Sequence, residues 1–378
     1  MEIEKIIVTL HDRLRIKIYN VYGMQQKVRI KDIAEMAGVS PGTVDRILHN
    51  RGNVSEAART AVEEVLKKVN YKPNIHITGL SLKRKYKVVI TTPNVAAGEY
   101  WESIHSGIEH ALEEYKNIRI KCLVHTYNEF DVYSCREVYD RILQIDADGV
   151  IIGLTFKEET HRLTQKLEEK GIPYIFVDST MENASPLAFF TSDHYRCGYL
   201  MAKLITAIIP EGSDIGISHA VKIGDESANT STLRQSGFND YLAQNKVNNK
   251  VLRIPYTTME PEKNDAWMAS FFKDQPHMGG VVFFNSRGGL LADCFARIGI
   301  NNIRLIGVDL TVSNIRGLKS GYIDFLIGQE PEHQGFLAMK TLIEYLVYRR
   351  PVKVQNYVQL DILTKEIIDY YNQFNYLS

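Results

Sequence analysis

Several apolar runs in this chain of 378 residues stop on side chains suited to holding a polar ligand. Tyr100 and Trp101 follow YKVVITTP (86–93), Asp178 follows YIFV (174–177), Asn285 follows VVFF (281–284) and Asp309 follows LIGV (305–308). Short apolar runs of this kind read as buried strands, and open α/β sheets bind ligands outside the carboxyl ends of their strands. These side chains are therefore expected to converge on one cleft. Asp178 with Asp309 would be the pair available for glycoside hydrolysis, although carboxylates in a cleft also bind sugar hydroxyls without any reaction. The signatures of other enzymes are missing from the sequence: no GxGxxG and no GxSxG elbow after a strand, no GxxxxGK[ST] and no HExxH, and the eleven histidines are scattered. Neither catalysis nor a bound cofactor is expected.

The elements that must position these residues follow from the pattern around them. The runs YKVVITTP (86–93), IRIKCLVHTY (118–127), ADGVIIG (147–153), IPYIFVDS (172–179), SDIGIS (213–218), GGVVFFN (279–285) and IRLIGVD (303–309) read as strands with amphipathic helical segments between most of them. That alternation predicts an α/β fold with parallel sheets. Residues 86–378 are many for one compact sheet, and SPLAFFTSD (185–193) suits a crossing between two lobes.

A different pattern precedes the α/β region. In VRIKDIAEMAGVSPGTVDRILHNRG (28–52), Ile30, Ile33, Ala34 and Ala37 share one helical face, Gly38 permits a sharp turn and Val39 pins it. Ser40 is an N-cap and Pro41 a first helical residue, so a second helix starts at once, with Val44, Ile47 and Leu48 on its buried face. Small residues at Ala34 and Gly38 let the two cross closely, as in a helix-turn-helix whose second helix enters the major groove of DNA. A third helix capped by Ser55 and running to about residue 69 completes a miniature core through Ala58, Ala61, Val62, Val65, Leu66 and Val69. The formal net charge is zero, yet residues 24–85 hold twelve Lys/Arg against six Asp/Glu, or +6, leaving −6 on the rest. A basic module on an acidic body suits a polyanion partner.

Cys122, Cys135, Cys197 and Cys294 stand far apart with no CxxC, which argues against disulfides and structural zinc and suits a cytoplasmic setting. No membrane-length apolar run or signal-peptide core is expected.

VRIKDIAEMAGVSPGTVDRILHNRGNVSEAARTAVEEVLKKVNYKPN (28–74) resembles the N-terminal domain of the lac repressor and galactose repressor family. The remainder resembles that family's ribose-binding-protein-like effector domain. The resemblance implies an all-α helix-turn-helix DNA-binding head followed by an α/β two-lobed periplasmic-binding-protein-like (type 1) effector domain with parallel sheets. The corresponding domains are an extension at 1–27, the head at 28–73, a hinge linker at 74–85 and an effector domain at 86–378. Within the last, lobe one takes about 86–190 plus 331–355, and lobe two about 191–330 plus 356–378.

For DNA, the resemblance implies a recognition helix from Pro41 to Leu48 in which Arg46 contacts DNA, Thr43 touches phosphate or base, and Ser40 lies at the DNA backbone. Pro41 and Gly42 stand where relatives often carry long base-reading side chains, which thins direct readout. Asp45 is either an acceptor for a cytosine amine or a partner for Arg46 or Arg29, and His49 and Arg51 suit phosphates. In relatives the segment after NYKPN (70–74) forms a hinge helix on the operator and wedges a leucine into the minor groove. That leucine would be Leu80, with Leu82 its rival. Ile77 and Thr78 replace the usual Ala-Arg pair, and Gly79 weakens the hinge helix further.

For the cleft, the resemblance implies that Tyr100 and Trp101 sandwich a sugar ring, that Asp178, Asn285, Asp309 and Gln329 bind its hydroxyls, and that Arg234 forks onto adjacent oxygens. Ser179 and Ser286 depart from the family's usual residues. The implied partners are double-stranded operator DNA, a small carbohydrate effector and a second copy in a homodimer. The end, ILTKEIIDYYNQFNYLS (362–378), lacks the sustained leucine heptad of tetrameric relatives. The competing readings are a DNA-binding regulator controlled by a protein partner and a carbohydrate-active enzyme.

Overall fold

The computed structural model describes residues 29–48, 54–69, 84–218, 229–254, 256 and 261–371. The chain divides into two compact units, Met1–Ser81 and Leu82–Ser378.

In the first unit, α1 is Ile30–Met36, α2 Pro41–Leu48 and α3 Glu56–Lys68. The Asp32 carboxylate accepts the Arg29 amide at 2.8 Å and so starts α1. Gly38 takes a left-handed φ of 64° in the turn, where an L side chain is strained. Ser40 Oγ accepts the Thr43 amide at 3.1 Å, Pro41 opens α2, and Ser55 Oγ accepts the Ala58 amide at 3.3 Å to cap α3. Ile33, Ala34, Val44, Ile47 and Val62 are buried together, with Val39, Leu48, Val65 and Leu66 packed against them. These are the apolar positions the sequence put on facing helical stripes.

In the second unit the first half runs β1 Tyr86–Pro93, α4 Tyr100–Glu114, β2 Ile120–Tyr127, α5 Val132–Ile142, β3 Gly149–Gly153, α6 Lys157–Glu169, β4 Tyr174–Asp178 and β5 Ala188–Thr191. The second half runs α7 His194–Ile208, β6 Asp214–Ser218, α8 Asn229–Gln244, β7 Val251–Arg253, α9 Pro261–Asp274, β8 Met278–Phe283, α10 Gly288–Ile298, β9 Arg304–Val308, α11 Val312–Lys319 and β10 Phe325–Gly328. Then come α12 Pro331–Tyr348, β11 Gln355–Tyr357, β12 Asp361–Leu363 and α13 Ile368–Tyr371.

The described strands form two six-stranded sheets, in the orders β11-β5-β4-β3-β1-β2 and β12-β10-β9-β8-β6-β7. Every pairing is parallel except β10 with β12. Helical crossovers cover both faces of such sheets, which is why β3 and β8 are apolar and buried throughout their length. The chain passes from the first sheet to the second after β5 and returns through α12, which packs on α4, β3, β4 and β5.

The stretch expected to cross between the lobes, 185–193, contains β5, a buried strand of the first sheet, and the chain changes lobe just after it, at Ser192 and Asp193. The seven strands expected from apolar runs are present, whereas β5, β7, β10, β11 and β12 were not foreseen. Three of those are three-residue edge strands, too short to carry a period.

Candidate functional site

The carboxyl ends of strands from both sheets face one cavity of about 280 Å3. Its lining includes Tyr100, Trp101, Asp178, Arg234, Asn285, Asp309 and Gln329, so every cleft residue expected from the sequence reaches the same space.

Two aspartates sit at matching places in the two lobes. Asp178 ends β4 with φ 68°, and Asp309 follows β9 with φ 73°. Aspartate tolerates this left-handed backbone better than most residues, and each turn is held by its neighbours. Gln334 Oε1 accepts the Asp178 amide at 3.0 Å, while the Asp178 carbonyl accepts His194 Nε2 at 2.6 Å and the Thr191 hydroxyl. The Asp309 amide donates to the Ile327 carbonyl at 2.9 Å, and Asn314 Nδ2 donates to the Asp309 carbonyl at 2.9 Å.

Arg234 is carried by α8, which lies unusually close to α7. A Cβ added at Gly198 would sit 1.8 Å from the Arg234 carbonyl oxygen, so only glycine permits that crossing. The buried guanidinium donates from Nη1 to the Phe284 carbonyl at 2.7 Å, and from Nη2 to Gln329 Oε1 at 2.8 Å and His194 Nδ1 at 3.0 Å. Because His194 Nε2 donates to a carbonyl, Nδ1 is the lone-pair nitrogen, and its partners fix one neutral tautomer. Gln329 Oε1 also accepts Ser192 Oγ at 2.5 Å, and its amide nitrogen donates to Asp309 Oδ1 at 2.6 Å. The Tyr100 hydroxyl donates to Asp178 Oδ1 at 2.7 Å.

Burial drives the electrostatics of this network. It pushes Asp309 up from 3.8 to about 6, with Arg234 acting in the opposite direction. It holds His194 down from 6.5 to about 3, and the Arg234 charge adds to the effect. Burial also raises Glu99.

One geometric expectation changes. Tyr100 and Trp101 meet edge to face, with ring centroids 5.4 Å apart and planes at 88°, so no slot for a sugar ring lies between them. Adjacent positions on one helix put the rings side by side rather than opposite each other. A third aromatic residue, Phe130, lines the cavity from the segment after β2.

Phe130 belongs to a group the sequence reading missed. Asn128, Glu129 and Phe130 directly follow the run IRIKCLVHTY (118–127), so the strand-end rule applied there as well. Arg287, in the segment after β8, donates to Glu129 Oε1 at 2.7 Å and lies over the Phe130 ring at 5.1 Å, joining the two lobes across the cavity. Glu99 also lines the cavity. Ser192 and His194 follow β5, a strand that was not foreseen, and Gln334 lies in the first turns of α12, so no expected strand end pointed to them.

In the head, Pro41, Gly42 and Arg46 are exposed along α2, while Thr43 and Asp45 are half-buried. The Ser40 hydroxyl is engaged with the Thr43 amide and with Thr43 Oγ1 at 2.9 Å, which makes it a cap first. His49, Arg51 and Leu80 lie outside the described residues, as does Leu82. Among the described residues no cluster of His, Cys, Asp and Glu is arranged to hold a metal ion, and no helix is long and apolar enough to cross a membrane.

Fold and cavity together define a two-lobed periplasmic-binding-protein-like module joined to a helix-turn-helix head. A family profile for the periplasmic binding protein domain matches residues 88–349, and one for bacterial regulatory proteins of the lacI family matches residues 29–74. A protein from Bacteroides fragilis described as a LacI transcriptional regulator has a similar solved structure, with a TM-score of 0.73 and 31% identity over 76% of this chain and 100% of that one. The chain belongs to the lacI family.

Among curated relatives, the HTH-type transcriptional regulator DegA of Bacillus subtilis is 28% identical over 207 residues, 52% of this chain and 59% of DegA. The sucrose operon repressor of Streptococcus mutans is 29% identical over 220 residues, 57% of this chain and 62% of that protein. The chain thus spans roughly six-tenths of the length of these relatives, which are named as transcriptional regulators and not as enzymes.

Proposed function

We propose that this protein is a sequence-specific DNA-binding transcriptional regulator, a repressor of carbohydrate-utilisation genes, controlled by a small sugar or sugar derivative held between its two lobes. It acts in the cytoplasm as a homodimer without catalysing a reaction, and its two heads bind half-sites of a pseudo-palindromic operator. Arg46 is the principal base or phosphate contact on α2, with Ser40, Pro41, Gly42, Thr43, Asp45, His49 and Arg51 at the same DNA face and Leu80 as the minor-groove wedge.

The observation that carries this reading is that one chain joins a helix-turn-helix head to a polar cavity lined from both lobes. A sugar bridging Asp178 in one lobe and Asn285, Asp309 and Arg234 in the other favours one lobe arrangement over others. By linkage, a ligand changes operator affinity only through such a preference. The relative named as a sucrose operon repressor supports the carbohydrate class.

The test uses operator sequences selected in vitro by the full-length protein. Arg46→Ala should weaken operator binding and leave ligand binding intact; undiminished operator affinity would show that α2 is misassigned. Trp101→Ala or Arg234→Ala should remove the response to ligand while operator affinity persists. A normal response in both variants would take the cavity out of the mechanism.

A further inference from the structure

The charged groups around the cavity form two sets. Asp178 and Asp309 stand with Arg234, and Glu99 and Glu129 stand with Arg287; of the six, Asp309 and Arg234 are buried and the rest half-buried. Four carboxylates against two guanidinium groups leave a formal charge of −2 on the lining.

Both guanidinium groups already hold protein partners, and that of Arg234 is closed to an anion. Carboxylates and phosphates bind arginine best through two parallel N–H groups, and both two-pronged faces of a guanidinium include Nη2. In Arg234 that nitrogen already donates to Gln329 and to His194. Its Nε is buried without a hydrogen-bond partner and is shut off from the cavity, so it offers nothing to an anion either. Arg287 is committed to Glu129 at 2.7 Å, with its flat face over Phe130.

Glu99 points to the same chemistry. It occupies the N-cap of α4, where a side chain commonly accepts a helix amide, yet it makes no such bond and lines the cavity half-buried. A carboxylate so placed accepts hydroxyl or ammonium protons and repels phosphate and carboxylate groups.

We infer that the ligand of this cavity is an uncharged polyhydroxylated ring, or one bearing an amino group, and that Glu99 and Glu129 exclude the phosphorylated and carboxylated forms of the same sugar. This rests on the reading that the cavity binds a carbohydrate.

The experiment is a thermal-shift titration of the full-length protein with glucose, galactose, mannose, ribose and arabinose, each beside its phosphate and its uronic or aldonic acid, and with glucosamine and galactosamine. The neutral or amino form of one sugar should raise the melting temperature, with its anionic forms binding on the order of 100-fold more weakly. In Glu99→Gln/Glu129→Gln that gap should shrink tenfold or more, because two repulsive charges are gone and Arg287 is released. An anionic form that binds as tightly as its neutral parent would overturn the inference and leave the carbohydrate reading standing. A set in which nothing binds would remove the carbohydrate reading itself, and this inference with it.

Discussion

Asp309→Asn should make the unliganded protein lose stability more steeply in mild acid, because Asp309 and His194 titrate in opposite senses within one buried network. His194 has its pKa held from 6.5 down to about 3, so the unfolded chain takes up this proton first. The stability of the neutral ring is complete above pH 6.5 and is lost as pH falls toward 3. Asp309 is raised from 3.8 to about 6, so here the folded chain takes up the proton first. Its ionisation costs stability as pH rises through that window, and the cost is relieved as pH falls. Each group contributes a slope of about 1.4 kcal/mol per pH unit, and between about pH 6 and pH 4.5 the two slopes offset each other.

Removing Asp309 leaves the His194 slope alone, a loss of about 2 kcal/mol over that interval, or roughly 4 °C in Tm for a body of this size. His194→Gln leaves the opposite slope and should gain stability over the same interval. Tm measured by scanning calorimetry from about pH 4.5 to pH 7.5 at constant ionic strength, for the parent and both variants, tests the sign as well as the size. Parallel profiles for the three proteins would refute the reasoning, whatever constant offset each substitution adds.

Two further outcomes follow from local geometry. Gly198→Ala places a methyl group 1.8 Å from the Arg234 carbonyl oxygen, and should lower stability by about 1–3 kcal/mol in urea unfolding as α7 and α8 are forced apart; an unchanged midpoint would mean the crossing is not close-packed. Ser55→Ala removes the oxygen that accepts the Ala58 amide, at a cost of about 1 kcal/mol to the head, seen as an approximately fivefold faster hydrogen exchange at that amide. An unaltered exchange rate would rule out Ser55 as the cap of α3.

The head was legible in the sequence because its information is local. Gly38, Ser40, Pro41 and Ser55 act on their own backbone or the next turn, and the apolar stripes of three short helices leave few ways to pack. The strands ending at Asp178, Asn285 and Asp309 were equally legible, since parallel strands covered on both faces are apolar along their length and turn polar where the cleft opens.

What the sequence by itself determined was therefore the class of each element and which residues stand at the open ends of the strands. Tertiary structure alone decided how those residues are spent. His194, Ser192 and Gln334 become part of the site only because β5 hands the chain to the second lobe and α12 returns it to the first. Tyr100 and Trp101 meet edge to face, and the forks of Arg234 are already filled. Glu129 and Arg287, 158 positions apart, close one side of the cavity. Such pairings depend on where two lobes bring distant backbone together, and no periodicity or neighbouring residue type encodes that distance.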